Sequence, residues 1–289
     1  MKYLKTLVSA STLALSSFAI QASEINVGGV VWDPNWTDGG MPASEMDFIG
    51  RHSFTQWYST TSDAVGSLGS ATTAATLGEV LAAGGGGGGG GASTGYYLSG
   101  AGEFYQLNNP SNDVVVDSVT GGNAGSFCPG CELTYAFGGI ELFDDLTFDV
   151  SNAWARIYVD FNNDFSVPVT TGNAATMTAA SLNGNIWLDL AFTSFEFLSL
   201  APGGGIGSGF VAATFDIIGG LAAANFDPQQ MSYNGSAFFG TDFQNINLNS
   251  RFSGGGNGSV LANTIPEPGI LFLFGAGLVG LGVMRKKAA

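Results

Sequence analysis

Apolar and polar residues alternate strictly along several stretches of the chain. Ala155, Ile157, Val159 and Phe161 share one face of an extended segment, and Trp154, Arg156, Tyr158 and Asp160 share the other. Ile186, Leu188, Leu190 and Phe192 oppose Asn185, Trp187 and Asp189. Leu133, Tyr135 and Phe137 oppose Glu132, Thr134 and Ala136, and Leu146, Phe148 and Val150 oppose Thr147 and Asp149. Ile246, Leu248 and Phe252 repeat the pattern against Asn245, Asn247 and Asn249, with Ser250 interrupting it. A period of two, with Gly, Asn and Pro between the runs, predicts antiparallel strands with one buried and one wet face. Two sheets packed face to face bury such strands. Residues 95–252 are therefore expected to form an all-β antiparallel β-sandwich, a jelly-roll-like arrangement included.

Outside these runs the pattern weakens. Met46–Tyr58 and Thr72–Ala83 read as short helices. Gly84–Gly91 is an uninterrupted octaglycine, which forms no regular structure cheaply and marks residues 84–94 as a flexible linker. Residues 23–83 are expected to pack on the sandwich through Val30, Val31, Trp32, Phe48, Phe54 and Trp57. Residues 253–264 read as a second linker. Glycine stays abundant outside the octaglycine, yet 22 Phe and 45% hydrophobic residues supply a core and exclude general disorder.

Charge narrows the partners. The whole chain carries −15, but five of its eight basic residues lie at the two ends. Between them, residues 23–264 hold Arg51, Arg156 and Arg251 against 22 acidic residues, a net charge of −19, with no lysine. Such a body repels phosphate backbones, which argues against nucleic acid as a partner. It suits an acid-biased soluble surface or divalent cations. Asp160, Asn162 and Asp164 match the first three oxygen positions of a calcium loop. The sixth position is Phe165 rather than Gly, and the twelfth is Thr171 rather than Glu, so calcium is the weaker reading beside a plain strand end.

Other candidate chemistry is thin. Cys128-Pro129-Gly130-Cys131 places Pro-Gly at the centre of a type II turn, whose ends lie close enough for a disulfide. No nearby basic residue would activate a thiol, so a structural clip is the expectation. His52 is the sole histidine, and no nucleophile-elbow motif accompanies it, so it reads as a packing residue. Trp154, Tyr158 and Trp187 fall on the wetter strand faces. They are a weak candidate for carbohydrate stacking, with packing under a second layer as the favoured alternative. Abundant acids also leave paired carboxylates for glycan hydrolysis open. No catalytic residue is assigned, and the body is expected to be non-enzymatic.

The two ends are more specific. Lys2 and Lys5 precede an apolar stretch, Leu7–Ile20, and small residues follow at Ala19 and Ala22, so residues 1–22 read as a secretory signal peptide with a signal helix. Residues 265–289 begin with Ile265-Pro266-Glu267-Pro268. An uncharged run of 16 residues, Gly269–Met284, then leads to Arg285, Lys286 and Lys287. That run spans about 24 Å as a transmembrane helix at ~1.5 Å per residue, and the basic stop fixes its end on the cytoplasmic side. Pro266, Glu267 and Pro268 with the short apolar helix and basic terminus resemble the PEP-CTERM sorting signal. The resemblance covers only the tail. It implies an exosortase-type membrane peptidase as a partner, transient anchoring in the inner membrane, then release outside or display on the cell surface. It further implies association with an extracellular polysaccharide matrix. A secreted carbohydrate-binding module and a secreted glycan hydrolase are the alternatives.

Overall fold

The computed structural model describes residues 24–34, 36, 48–61, 64–68, 74–84, 91–108, 127–145, 147–165, 178–200, 208–228, 231–238 and 253–265. Two short strands, β1 (Ile25–Val27) and β2 (Val30–Trp32), form a hairpin. The remaining strands are β3 (Phe48–Ser59), β4 (Ser93–Leu107), β5 (Glu132–Phe143), β6 (Phe148–Asp149), β7 (Trp154–Asp160), β8 (Asn185–Leu200), β9 (Ser208–Gly219), β10 (Met231–Phe238) and β11 (Ser253–Ala262). Among the described residues, helix α1 covers Leu77–Gly84, residues 178–180 are helical, and a 3-10 turn covers Ala223–Asn225.

The main sheet is antiparallel and curls on itself. Each strand from β3 to β5 and from β7 to β11 pairs with the one before and the one after it in that order, and β11 pairs back onto β3. The wall is an eight-stranded up-and-down barrel, with β6 added beside β5. This corrects the two-sheet sandwich: the strands are antiparallel and half-buried as expected, but they enclose one interior. Closure also removes the exposed strand edges that an open sheet would leave.

Two expected boundaries move with this topology. Where a helix is expected over Met46–Tyr58, the described residues from Phe48 onward form a wall strand, and its inward positions are Phe48, Gly50, His52, Phe54 and Gln56. Residues 253–264, expected as a linker, supply the closing strand β11. Residues 24–265 form one compact unit, in which β3 belongs to the wall and the β1–β2 hairpin packs against the core through Val30 and Trp32. The second expected helix exists and is shorter than 72–83. Its start is a capping box: the Glu79 carboxylate accepts the Thr76 amide at 2.7 Å, and the Thr76 hydroxyl accepts the Glu79 amide at 3.3 Å.

The inward faces of β5 and β7 are those the alternation gives. Leu133, Ala155, Ile157 and Val159 are buried in the main core, with Tyr135 and Phe137 packed against it. Strand β8 departs from expectation. A register shift beside Ile157 and Tyr158 pairs Ile157 with Leu188 and Tyr158 with Ile186, leaving Trp187 as an extra residue. Trp187 and Leu188 therefore both join the interior, while Ile186 packs in the outer cluster. Such a bulge re-aims side chains within one residue, and strict alternation cannot anticipate it.

Trp187 completes an aromatic plug at one end of the lumen. Trp32 stacks on Phe226 with centroids 5.4 Å apart, and Trp187 meets Trp32 edge-on at 5.5 Å. Phe48 meets Phe226 at 5.0 Å. The Trp187 indole donates to the Val27 carbonyl at 3.0 Å, tying the β1–β2 hairpin to the wall. Towards the other end, Val80 of α1 packs with Tyr58, Leu98, Ile140 and Leu142. Between the two, β4 carries Gly100 and Gly102 where a Cβ would collide with the rings of Phe137 and Tyr135. Glycine there lets the aromatic side chains of the adjacent strand β5 lie across β4.

Outside the wall, a second layer covers β4, β5 and β7. Ala101, Ala136, Trp154 and Tyr158 are buried beneath Leu68, Ala74, Phe165 and Ala180. The expected signal peptide, residues 1–22, and the sorting tail from Pro266 onward lie outside the described residues, as do Ile246, Leu248 and Phe252. Among the described residues no helix is long and apolar enough to cross a membrane.

Candidate functional site

Two places in the barrel concentrate polar chemistry. The first is a carboxylate cluster on the outer wall. Glu132 opens β5 and Asp160 closes β7, and the register sets them directly opposite each other. The chain then turns through Phe161, Asn162 and Asn163, whose φ is +51°, and returns Asp164 to the same place. One carboxylate oxygen from each of Glu132, Asp160 and Asp164 lies within 4.8 Å of the others.

Backbone and amide donors hold these groups. Asp160 Oδ1 accepts the amides of Phe161 at 2.7 Å and Asn162 at 3.2 Å, and the Asn162 side-chain amide at 3.1 Å. Glu132 accepts the amides of Asp164 at 3.2 Å and Phe165 at 3.3 Å. The Asn183 amide reaches both oxygens of Asp164, at 3.2 and 3.1 Å. Of the three expected ligands, Asp160 and Asp164 therefore converge. Asn162 instead turns its amide nitrogen towards Asp160 as a donor. The third converging residue is Glu132, which local spacing did not offer.

Glu103 on β4 extends the cluster inward. It pairs with Thr134, two residues along β5 from Glu132, so both glutamates occupy the outer face as diagonal neighbours. Glu103 is 1% exposed, and its Oε1 has no hydrogen-bond partner. Burial, with the Glu132 charge adding to it, pushes the Glu103 carboxyl up to about 8. Burial also raises Glu132, to about 7; the Phe165 and Asp164 amides pull it down, and the Asp160 and Asp164 charges raise it further. No arginine offsets this repulsion among the described residues. Arg51 is exposed on β3, and Arg156 is bound bidentately to Asp189 at 2.9 and 3.0 Å.

The second place is the lumen, where a cavity of about 70 Å³ is lined by Phe54, Phe104, Phe137, Phe192 and Phe215 together with His52 and Tyr135. His52 Nδ1 and the Tyr135 hydroxyl are hydrogen-bonded at 2.6 Å. Burial lowers the His52 pKa to about 3, so the ring is neutral at ordinary pH. This is the packing role expected for the sole histidine.

The remaining candidates are placed as follows. Cys128 and Cys131 are disulfide-bonded, with α-carbons 5.1 Å apart, and Gly130 takes the positive φ of +79° that the turn requires. Trp154, Tyr158 and Trp187 are 2%, 4% and 0% exposed, so they offer no stacking face for a sugar. Trp154 and Tyr158 lie under the second layer, and Trp187 lies in the plug. Pro266, Glu267, Pro268, Arg285, Lys286 and Lys287 lie outside the described residues.

Residues 264–287 match the family model described as the PEP-CTERM protein-sorting motif. No curated protein and no solved structure matches the chain. The tail therefore marks an exosortase-targeted protein that is exported and membrane-anchored before cleavage, and destined for secretion or the cell surface.

Proposed function

We propose that the chain is a non-enzymatic component of an extracellular polysaccharide matrix, delivered by a signal peptide at residues 1–22 and freed by an exosortase-type peptidase. The match of residues 264–287 to the sorting motif is the observation that carries this reading. The barrel suits the destination. Its edges are paired, a disulfide clips one turn, and the surplus of acids favours solubility outside the cell.

A glycan-hydrolase role has weaker support. Hydrolytic carboxyl pairs flank a substrate cleft at separations of about 5 Å or more. Here Glu132 and Asp160 are only 1% and 6% exposed and offer a substrate little surface. A carbohydrate-binding role would need an exposed aromatic row, and the three candidate rings are buried. The test is fractionation of the producing culture. The protein is expected to co-sediment with the polysaccharide and to be released when the polysaccharide is depolymerised. Recovery in the soluble medium before and after depolymerisation would reject matrix association.

A further inference from the structure

Three carboxylates, Glu132, Asp160 and Asp164, meet on the outer wall of β5 and β7, with the buried Glu103 of β4 diagonal to Glu132 and, among the described residues, no arginine bound to them. Like charges set directly across two strands are destabilising, and Glu132 faces Asp160 in that way. Glu103 adds a buried oxygen, Oε1, that has no hydrogen-bond partner among the described residues. A buried acceptor left unmade costs free energy, so an arrangement of this kind calls for a positive partner. Asn163 Oδ1, in the loop between Asp160 and Asp164, is likewise buried without a donor.

The geometry selects the class of partner. Calcium binds oxygen ligands at about 2.3–2.6 Å, so two ligands on opposite sides of one ion stand roughly 5 Å apart. The Glu132, Asp160 and Asp164 oxygens, all within 4.8 Å of one another, fit around a single such ion. All the groups are hard oxygen donors, and neither His52 nor the disulfide-bonded cysteines join them. The supporting donors follow the usual outer shell of a metal site. Asp160 Oδ1 is saturated by loop amides, while its Oδ2 has only a 3.4 Å contact with Asn162. Asn183 orients Asp164 from outside.

We propose that Glu132, Asp160 and Asp164, backed by the buried Glu103, form a calcium-class divalent cation site that clamps β4, β5, β7 and the loop 161–165. The site stands on residues of the body alone, independently of where the processed protein resides. Asp164 is the exposed member, so water completes the coordination from that side. An affinity on the order of 10⁻⁴–10⁻³ M, as in extracellular calcium modules, would make the clamp form after export.

Calorimetric titration of chelator-stripped exported protein with calcium chloride tests this. The expected result is a saturable isotherm with one ion per chain, and a rise in Tm that sodium chloride of equal ionic strength does not reproduce. Asp164→Asn, at an exposed position, should weaken calcium binding at least tenfold while the Tm in chelator is not lowered, because one repelling charge is removed. Glu103→Gln reports the buried oxygen and should also weaken binding. Absence of a saturable heat up to about 10 mM calcium overturns the site. So does equal affinity in wild type and Asp164→Asn.

Discussion

His52 on β3 and Tyr135 on β5 meet inside the barrel, with Nδ1 and the phenol hydroxyl 2.6 Å apart. Both lie between the aromatic plug and the apolar cluster around Val80, so the imidazole is shut away from water. Its pKa falls to about 3 from an ordinary 6.5, with burial as the cause. The unfolded chain therefore binds a proton that the folded chain refuses. The associated stability is full above pH 6.5 and is lost as pH falls towards 3. Between pH 6 and 5 the slope approaches about 1.4 kcal/mol per pH unit. Urea unfolding of wild type and His52→Phe across that range should show a shallower pH dependence in the variant. Parallel curves would mean that His52 reaches solvent.

Trp187 anchors the plug. It is fully buried, touches Trp32, Phe48 and Phe226, and donates to the Val27 carbonyl. Truncation opens a cavity and frees a buried acceptor. Trp187→Ala should cost about 3–5 kcal/mol in chemical denaturation. Trp187→Phe should cost less, because much of the ring packing survives. A loss below about 1 kcal/mol for the alanine variant would place Trp187 outside the core.

Arg156 and Asp189 form a bidentate pair across β7 and β8, with each side chain 20% exposed. Partial exposure limits its worth. A double-mutant cycle with Arg156→Ala and Asp189→Ala should give a coupling of about 1 kcal/mol or less, shrinking as salt rises. A coupling that is large and insensitive to salt would show that the second layer seals the pair from solvent.

The face assignments of β5 and β7 were legible because Leu133, Tyr135 and Phe137, and Ala155, Ile157 and Val159, alternate without interruption. Their enclosure was not. A strand in a sandwich and a strand in a barrel show the same two-residue period, and closure depends on the β11–β3 pairing between residues about 200 apart in sequence. Strand β3 resembled a helix because Phe48, Phe54 and Trp57 are widely spaced apolar residues. In the barrel the positions between them are filled by Gly50, beside the Phe104 ring, and by buried His52 and Gln56. Alternation alone puts Trp187 on the outer face, because a bulge has no period.

The carboxylate cluster was half legible for a similar reason. Asp160 and Asp164 are neighbours in sequence, and their loop announces itself. Glu132 arrives from 28 residues away through strand register, and Glu103 through the next strand over. Register is a tertiary property, fixed by which faces are buried, and local spacing does not carry it.

Export with removal of the sorting tail is the claim on which the functional reading depends. Intact-mass measurement of protein recovered from the medium of a strain that has an exosortase-type peptidase tests it directly. The expected mass lacks residues 1–22 and the apolar and basic segment Gly269–Ala289. A recovered protein that still carries Gly269–Ala289 in that strain would contradict it.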